Sequence, residues 1–305
     1  MSGNTLLQLD LPGVSKVRSG KVREMFDLGD RLLMVASDRI SAFDVILGQP
    51  IPHKGEVLTL VTAWWLEQLE DRLAHHLIAV DPDAIIARHP DLATSRETWA
   101  RRAMLVTRTQ PVLVECVVRG HITGSAWKEY RSNGTLANEP LPEGLLESQR
   151  LDPPIFSPAT KAEQGEHDEN ITIAQAQELL STELADRLRD LSLDIYGYGR
   201  GVADIRGIIL ADTKFEFGYA IDADGNPTDE LLLIDEVLTP DSSRYWPEEE
   251  YEPGREQNSF DKQFVRNYLL ELVEAGTWDK EPPGPALPED IIERTLERYR
   301  EAARR

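Results

Sequence analysis

The sequence predicts a mixed α/β chain, of the α+β kind, built from antiparallel strand pairs and arranged in two lobes. Strand-like runs occur as pairs joined by turn-forming connections, the clearest being GIILADTKFEFG and LLLIDEVLTPDSSR, linked by IDADGNPTDE. An amphipathic run after Thr172 carries a capping-box pattern, Thr172 with Gln175, which signals helix. At 305 residues the chain is long enough for two lobes or one large domain. Pro111 would be costly inside a central strand and suits a connection. The boundary is placed there, giving an N-terminal lobe of residues 1–110 and a larger mixed lobe of residues 111–305.

From Lys16 to Phe43 the chain reads strand, turn, strand, with Leu28-Gly29-Asp30 as the turn. Residues 58–69 (LTLVTAWWLEQL) place Leu and Trp on a buried helical stripe. Residues 102–120 read as two strands broken at Pro111. Residues 139–170 are polar, proline-rich and aperiodic; a loop of that length in a compact protein is usually functional or disordered. Helix resumes at Thr172. Residues 207–218 and 231–244 form the strand pair named above. The C-terminal region is helical over 260–272 and 289–305, with a proline-rich linker between.

Composition narrows the function classes. The formal charge is −21, from 54 acidic and 33 basic residues, which argues against a nucleic-acid phosphate backbone as partner. No run approaches the roughly 18 apolar residues of a membrane span, and the N-terminus lacks the pattern of a signal peptide. The single cysteine, Cys116, lies in an apolar run and is read as a buried strand residue. A cytoplasmic location is expected. In so acidic a chain an anionic substrate needs local cations. Of only eight lysines, Lys21, Lys54, Lys161 and Lys214 each fall within a segment with other site-like residues.

Chemistry concentrates in the second strand pair. Alternation puts Asp212, Lys214 and Glu216 on one face and Phe215 and Phe217 on the other. The partner run turns acidic at Asp235-Glu236, so pairing crowds carboxylates around a lysine. Such crowding is unfavourable without a cation among them. Carboxylates suit Mg²⁺, which takes one or two of them together with water and nucleotide phosphates, and Lys214 would then face phosphate. Charged alternation alone also describes an ordinary solvated hairpin; the loop that follows, Thr239-Pro240-Asp241-Ser242-Ser243-Arg244, tips the reading toward a binding site. Ser19-Gly20-Lys21-Val22-Arg23 offers a glycine and two cations at alternate positions but lacks the Walker A spacing, and alone it reads as a turn. Arg119 to Ser125 (RGHITGS) ends a strand and opens a helix, presenting amides, a hydroxyl and an arginine to an anion. His121 is read as structural. Residues 158–170 (PATKAEQGEHDEN) combine Lys161, Asp168 and other charged groups in a segment placed to close over a substrate.

Together, SGKVR, SDRISAFD, VVRGHITGSAWKEY, TKAEQGEHDEN, ADTKFEFG and IDEVLTPDSSR, in that order over residues 16–270, resemble the SAICAR synthetase family of purine biosynthesis. The length is that of the single-function long form. The resemblance implies an ATP-dependent ligase that joins the carboxylate of CAIR, 5-amino-1-(5-phosphoribosyl)imidazole-4-carboxylate, to the amine of L-aspartate. It implies ATP and Mg²⁺ as cofactors, a monomer, and an N-terminal antiparallel lobe resembling the nucleotide lobe of protein kinases. By that resemblance Gly20, Lys21 and Arg23 cover the ATP phosphates, Lys214 contacts phosphate, and Glu216 and Asp235 are Mg²⁺ ligands. Lys214 and Asp212 are the catalytic pair. Arg119, Ser125, Asp212, Asp241 and Arg244 hold the ribonucleotide, and Lys161 and Asp168 lie on a mobile substrate loop. Adenine is expected against backbone groups near residues 106–108. A kinase on a related scaffold is the alternative, but neither H-R-D-x-x-x-x-N nor D-F-G occurs. A non-catalytic acidic binding module is the second alternative.

Overall fold

A computed structural model describes residues 5–161 and 169–305. It has the mixed α/β architecture with antiparallel sheets that the sequence predicts. The first sheet has five antiparallel strands in the order Lys16–Ser19, Arg23–Asp27, Arg31–Ala36, Ala103–Thr107 and Leu77–Ala79. The turn at residues 28–30 sets Asp27 opposite Leu32. Alternation splits this sheet's side chains: Phe26, Leu33, Val35 and Leu105 pack with Ile85 and Trp99, while Met34, Met104 and Val106 form a separate cluster.

The second sheet is organised by one long strand, Ile208–Ile221. Val114–His121 and Thr109–Pro111 run along one edge of it, and Pro227–Ile234 and Ser243–Pro247 along the other. The expected hairpin is present, with Glu216 opposite Ile234. The run 231–244, however, is not one strand. The chain leaves the sheet at Asp235 and returns as Ser243–Pro247, with Ser243 opposite Thr213. The acidic residues therefore sit on an excursion beside the middle of the long strand. Phe215 and Phe217 are buried in the main core with Trp65, Leu66 and Leu188. Burying each such ring contributes about 2 kcal/mol, and it holds the polar positions 212, 214 and 216 on the opposite face.

Several boundaries differ from expectation. The first long helix is Lys54–Leu69, starting four residues earlier than its apolar stripe. Its start is fixed by a distant group: the Asp38 carboxylate accepts the Gly55 amide at 3.0 Å. Residues 102–120 give three strands rather than two, because Thr109–Pro111 pairs separately with Gly218–Ala220. The expected loop 139–170 contains strand Arg150–Phe156 and two-residue strands Glu139–Pro140 and Ala159–Thr160. Pro153 and Pro154 mask Arg150–Phe156 in the sequence; it pairs only with Val114–His121, at the sheet edge, where missing donors are tolerated. The capping box at Thr172 forms, with the Gln175 amide donating to Thr172 Oγ1 at 3.1 Å. That run is two helices, Ile173–Leu180 and Thr182–Asp204, because Ser181 breaks the first and caps the second through Leu184.

The C-terminal helices Gln263–Glu274 and Glu289–Arg304 pack Val265, Leu269 and Ile291 against Ile40, Leu47 and Ile51. Ile291, Thr295 and Tyr299, four residues apart, form one buried face. Among the described residues, no helix is long and apolar enough to cross a membrane.

Candidate active site

The polar face of the long strand carries two adjoining clusters. At Asp212, the first is cationic around one carboxylate. Asp212 Oδ2 accepts from Arg119 Nη1 at 3.2 Å and from Arg244 Nη1, while Arg119 Nε donates to Ser157 Oγ at 2.9 Å. Helix Gly124–Asn133 begins here, and Thr123 gives it no side-chain cap, leaving its first amides open to an anion. Ser125 is exposed in its first turn. Gly124 has φ +58°, and a Cβ there would lie 2.6 Å from Arg244 Nη2, so the glycine makes room for the guanidinium. Arg119, Asp212 and Arg244 thus meet at a cationic corner beside the uncapped helix start that carries Ser125. Gly120 serves packing instead: a Cβ there would overlap the Tyr196 hydroxyl, which donates to the Leu210 carbonyl at 2.7 Å.

Two and four residues further along lies the second cluster. Lys214 Nζ contacts Glu115 Oε1 at 2.6 Å and Glu216 Oε1 at 3.5 Å, and Lys161 Nζ contacts Glu216 Oε2. Burial would raise the Glu216 carboxyl, but Lys214 and Lys161 outweigh it and hold Glu216 below the usual range. Across the strand pair, Arg23 Nη2 reaches Asp235 Oδ2 at 2.6 Å and Glu236 Oε1 at 3.5 Å. Asp235 has φ 66°, a left-handed conformation unfavourable for an aspartate and one that concentrates at functional sites. Burial and the neighbouring Glu216 and Glu236 outweigh Arg23 and push its carboxyl up to about 6.

That upward shift has a measurable consequence. A carboxyl whose folded pKa exceeds its unfolded value of 3.8 stabilises the fold below that value and loses the contribution as pH rises through about 6. Asp235→Asn removes the penalty. In magnesium-free buffer at pH 7.5 the variant is expected to melt above the native protein, with the difference closing below pH 4. Thermal denaturation at both pH values checks this; equal melting at pH 7.5 would contradict it.

The segment at residues 20–23 approaches this cluster from the first sheet. Gly20 N–H donates to the Arg23 carbonyl at 2.7 Å, closing the turn, and Lys21 Nζ pairs with exposed Asp44 at 2.6 Å. Arg39 braces the turn from beneath, with Nε donating to the Lys21 carbonyl at 2.9 Å and Nη2 to that of Gly20 at 2.8 Å. A cavity beside Arg23 and Glu236 is lined by Val22, Met34, Ala36 and Met104. The backbone near residues 106–108 is partly committed, since Thr107 N–H donates to His76 and the Arg108 carbonyl accepts from Ile221.

The remaining sequence candidates fall elsewhere. Asp241 is turned to Lys54 and Tyr299, both at 2.5 Å, with Lys262 at 3.8 Å. Asp168 lies outside the described residues. Cys116 is fully buried and its thiol is pushed up to about 12 by desolvation. Burial lowers His121 to about 4, and its ring meets Trp246 and Tyr251 edge-on, as a structural histidine does. Glu115, Arg39 and Tyr299 escaped the sequence reading. Their partners lie 99, 18 to 19 and 58 residues away, respectively, so no local pattern marks them.

Among the described residues, no three His, Cys, Asp or Glu side chains form a complete metal cage. The donor set nevertheless fits Mg²⁺, which needs few protein ligands when phosphates supply the others. Burial raises Asp235, and the nearby Glu216 and Glu236 add to it, an arrangement a bound cation relieves.

Residues 16–283 match the model of the family described as SAICAR synthetase. A phosphoribosylaminoimidazole-succinocarboxamide synthase of Desulfosudis oleivorans is 51% identical over 294 residues, covering 96% of this chain and 95% of that one. The protein of the same name from Pelobacter propionicus is 50% identical over 303 residues, covering 98% and 97%. A solved SAICAR-synthase from Saccharomyces cerevisiae, complexed with SAICAR, superposes with a TM-score of 0.82 at 40% identity, covering 98% of this chain and 97% of that one.

Proposed function

The chain belongs to the SAICAR synthetase family, and from that premise we propose how its residues divide the work of ligation. The reaction joins the carboxylate of CAIR to the amine of L-aspartate, giving SAICAR, ADP and phosphate. A carboxylate is a poor electrophile because its leaving group would be oxide. Transfer of the γ-phosphoryl group of ATP to a carboxylate oxygen makes phosphate the leaving group. The aspartate amine, as the free base, then attacks the carbonyl carbon, the C–O bond to phosphate breaks with its electron pair leaving on phosphate, and the nitrogen loses one proton, keeping the other as the amide N–H.

The observation that carries the assignment is the order of side chains along one strand face. Asp212, with Arg119 and Arg244, forms the anion corner, and Lys214 and Glu216 follow at alternate positions. Four residues of strand span about 13 Å, comparable with a ribonucleotide reaching from its phosphate to the far edge of its base. The CAIR phosphate sits at Arg119, Ser125, Arg244 and the open amides of the Gly124 helix, with Asp212 fixing the two guanidinium groups. Asp241, in the 235–242 loop, acts at one remove, held by Lys54 and Tyr299. The CAIR carboxylate then lies by Lys214, which faces the transferring phosphoryl group. Gly20, Lys21 and Arg23 cover the ATP phosphates. Glu216 and Asp235 would hold Mg²⁺, which when bound neutralises phosphoryl charge. Lys161, next to Glu216, contributes a cation to the phosphoryl side of the site.

The test is phosphate release from Mg-ATP with CAIR, with and without L-aspartate, together with a mass spectrum of the product. Aspartate-dependent release and a product carrying the succinyl group are expected. Phosphate retained on an acceptor would mark a kinase instead.

A further inference from the structure

Beside the long strand, the loop 235–242 carries Asp235 and Glu236 at one end and Asp241 at the other. Its middle is anchored by Val237 and Leu238, both fully buried. Thr239 closes its second half, accepting the Ser243 amide at 2.9 Å and the Ser242 amide at 3.1 Å. Asp235 and Leu238 both have left-handed backbones, φ 66° and 51°. Non-glycine residues stay in that region only where their surroundings over-determine them.

The strongest polar restraint is at Asp241. Its Oδ2 meets Lys54 Nζ at 2.5 Å and its Oδ1 accepts the Tyr299 hydroxyl at 2.5 Å. Lys54 and Tyr299 are wholly buried, and the Asp241 side chain is 5% exposed. Lys54 opens the helix Lys54–Leu69, whereas Tyr299 is the last member of the buried face of Glu289–Arg304. Stability alone does not account for such a network, since a well-packed apolar replacement of a buried ion pair is often neutral or stabilising. What a buried cluster of an ion pair and a hydrogen bond provides is a defined geometry for the loop that carries it.

We propose that Tyr299 and Lys54 are positioning residues of the ligation, holding the 235–242 loop through the Asp241 carboxylate and so coupling the C-terminal helix to the catalytic strand. The inference rests on the assignment of Asp235 to the Mg²⁺-nucleotide site. Apolar packing at Val237 and Leu238 sets the depth of the loop; the Asp241 carboxylate sets its direction.

The test uses the full chain. Tyr299→Phe keeps the ring and deletes only the hydroxyl, and Thr295→Val, on the same buried face but with its hydroxyl donating to the Ile291 carbonyl of its own helix, controls for loosening of the helix. For Tyr299→Phe we expect a melting temperature close to that of the native chain. Its kcat is expected to fall about tenfold, and the magnesium concentration for half-maximal rate to rise several-fold. Hydrogen exchange at the Ser242 and Ser243 amides should accelerate even without substrates. Thr295→Val should change none of these. Lys54→Met should shift the exchange in the same direction. Unchanged exchange together with unchanged kcat and magnesium dependence in Tyr299→Phe overturns the proposal, as does an equal effect in Thr295→Val. Faster exchange with unaltered magnesium dependence would instead fault the assignment of Asp235. A native chain without aspartate-dependent phosphate release would overturn the function itself, and the inference with it.

Discussion

Replacing Lys214 by methionine is expected to lower aspartate-dependent phosphate release by about 10³-fold at saturating substrates, the scale seen when a group aimed at developing transition-state charge is removed. The expectation follows from where the ammonium is held. Glu115 and Glu216 contact it from two sides, at 2.6 and 3.5 Å. Glu216 and Glu115 outweigh burial and raise its pKa above that of an ordinary lysine, so it remains a cation throughout the working pH range. A fixed, permanently charged donor needs little reorganisation when the phosphoryl group transfers. The effect belongs in kcat rather than in the KM for CAIR, because the corner proposed for the ribonucleotide phosphate is untouched. Lys214→Arg keeps the charge but exchanges a compact ammonium for a planar fork, and it should recover only part of the rate. Steady-state kinetics on variants whose melting curves show a folded chain checks this. A Lys214→Met enzyme within tenfold of native kcat would remove Lys214 from the chemistry.

How much of this was legible in the sequence depends on the range of the interaction concerned. Alternation along 212–216 is a local property, and it placed Asp212, Lys214 and Glu216 on one face opposite Phe215 and Phe217. The turn at 28–30 and the capping box at Thr172 are equally local, and both formed. The start of helix Lys54–Leu69 was missed because its determinant, Asp38, lies 17 residues away from the amide it receives. The strand Arg150–Phe156 was missed because two prolines erase its pattern, and only its position at a sheet edge makes them tolerable. The excursion is half legible: Thr239–Arg244 reads as a loop, although Ser243 and Arg244 rejoin the sheet, while Asp235–Leu238 reads as strand because LLLIDEV continues an apolar run. What breaks it is the left-handed backbone of Asp235, which a one-dimensional pattern does not encode. The site shows the same division. Residues that present charge from one strand or one loop could be read out. Glu115, Arg39 and Tyr299, which hold those residues from other elements, could not.

The second large effect is expected at the other end of the strand face. Arg244→Met should raise the KM for CAIR by about 100-fold while leaving the KM for ATP within about twofold, since a charge-assisted hydrogen bond to an anion is worth roughly 1.5–3 kcal/mol. Arg244 is held by Asp212 and lies against the open N-terminus of the Gly124 helix, so its loss removes one wall of the corner while Arg119 remains on Asp212. Gly124→Ala provides an independent probe that deletes no charge. Its Cβ would press on Arg244 Nη2 at 2.6 Å, at a backbone φ of +58°. It should therefore move the same parameter in the same direction by displacing the guanidinium. A rise confined to the KM for CAIR in both variants identifies this corner as the ribonucleotide phosphate site. A rise in the KM for ATP instead would mean that the corner grips the nucleotide, and the order of the two substrates along the strand would have to be reversed.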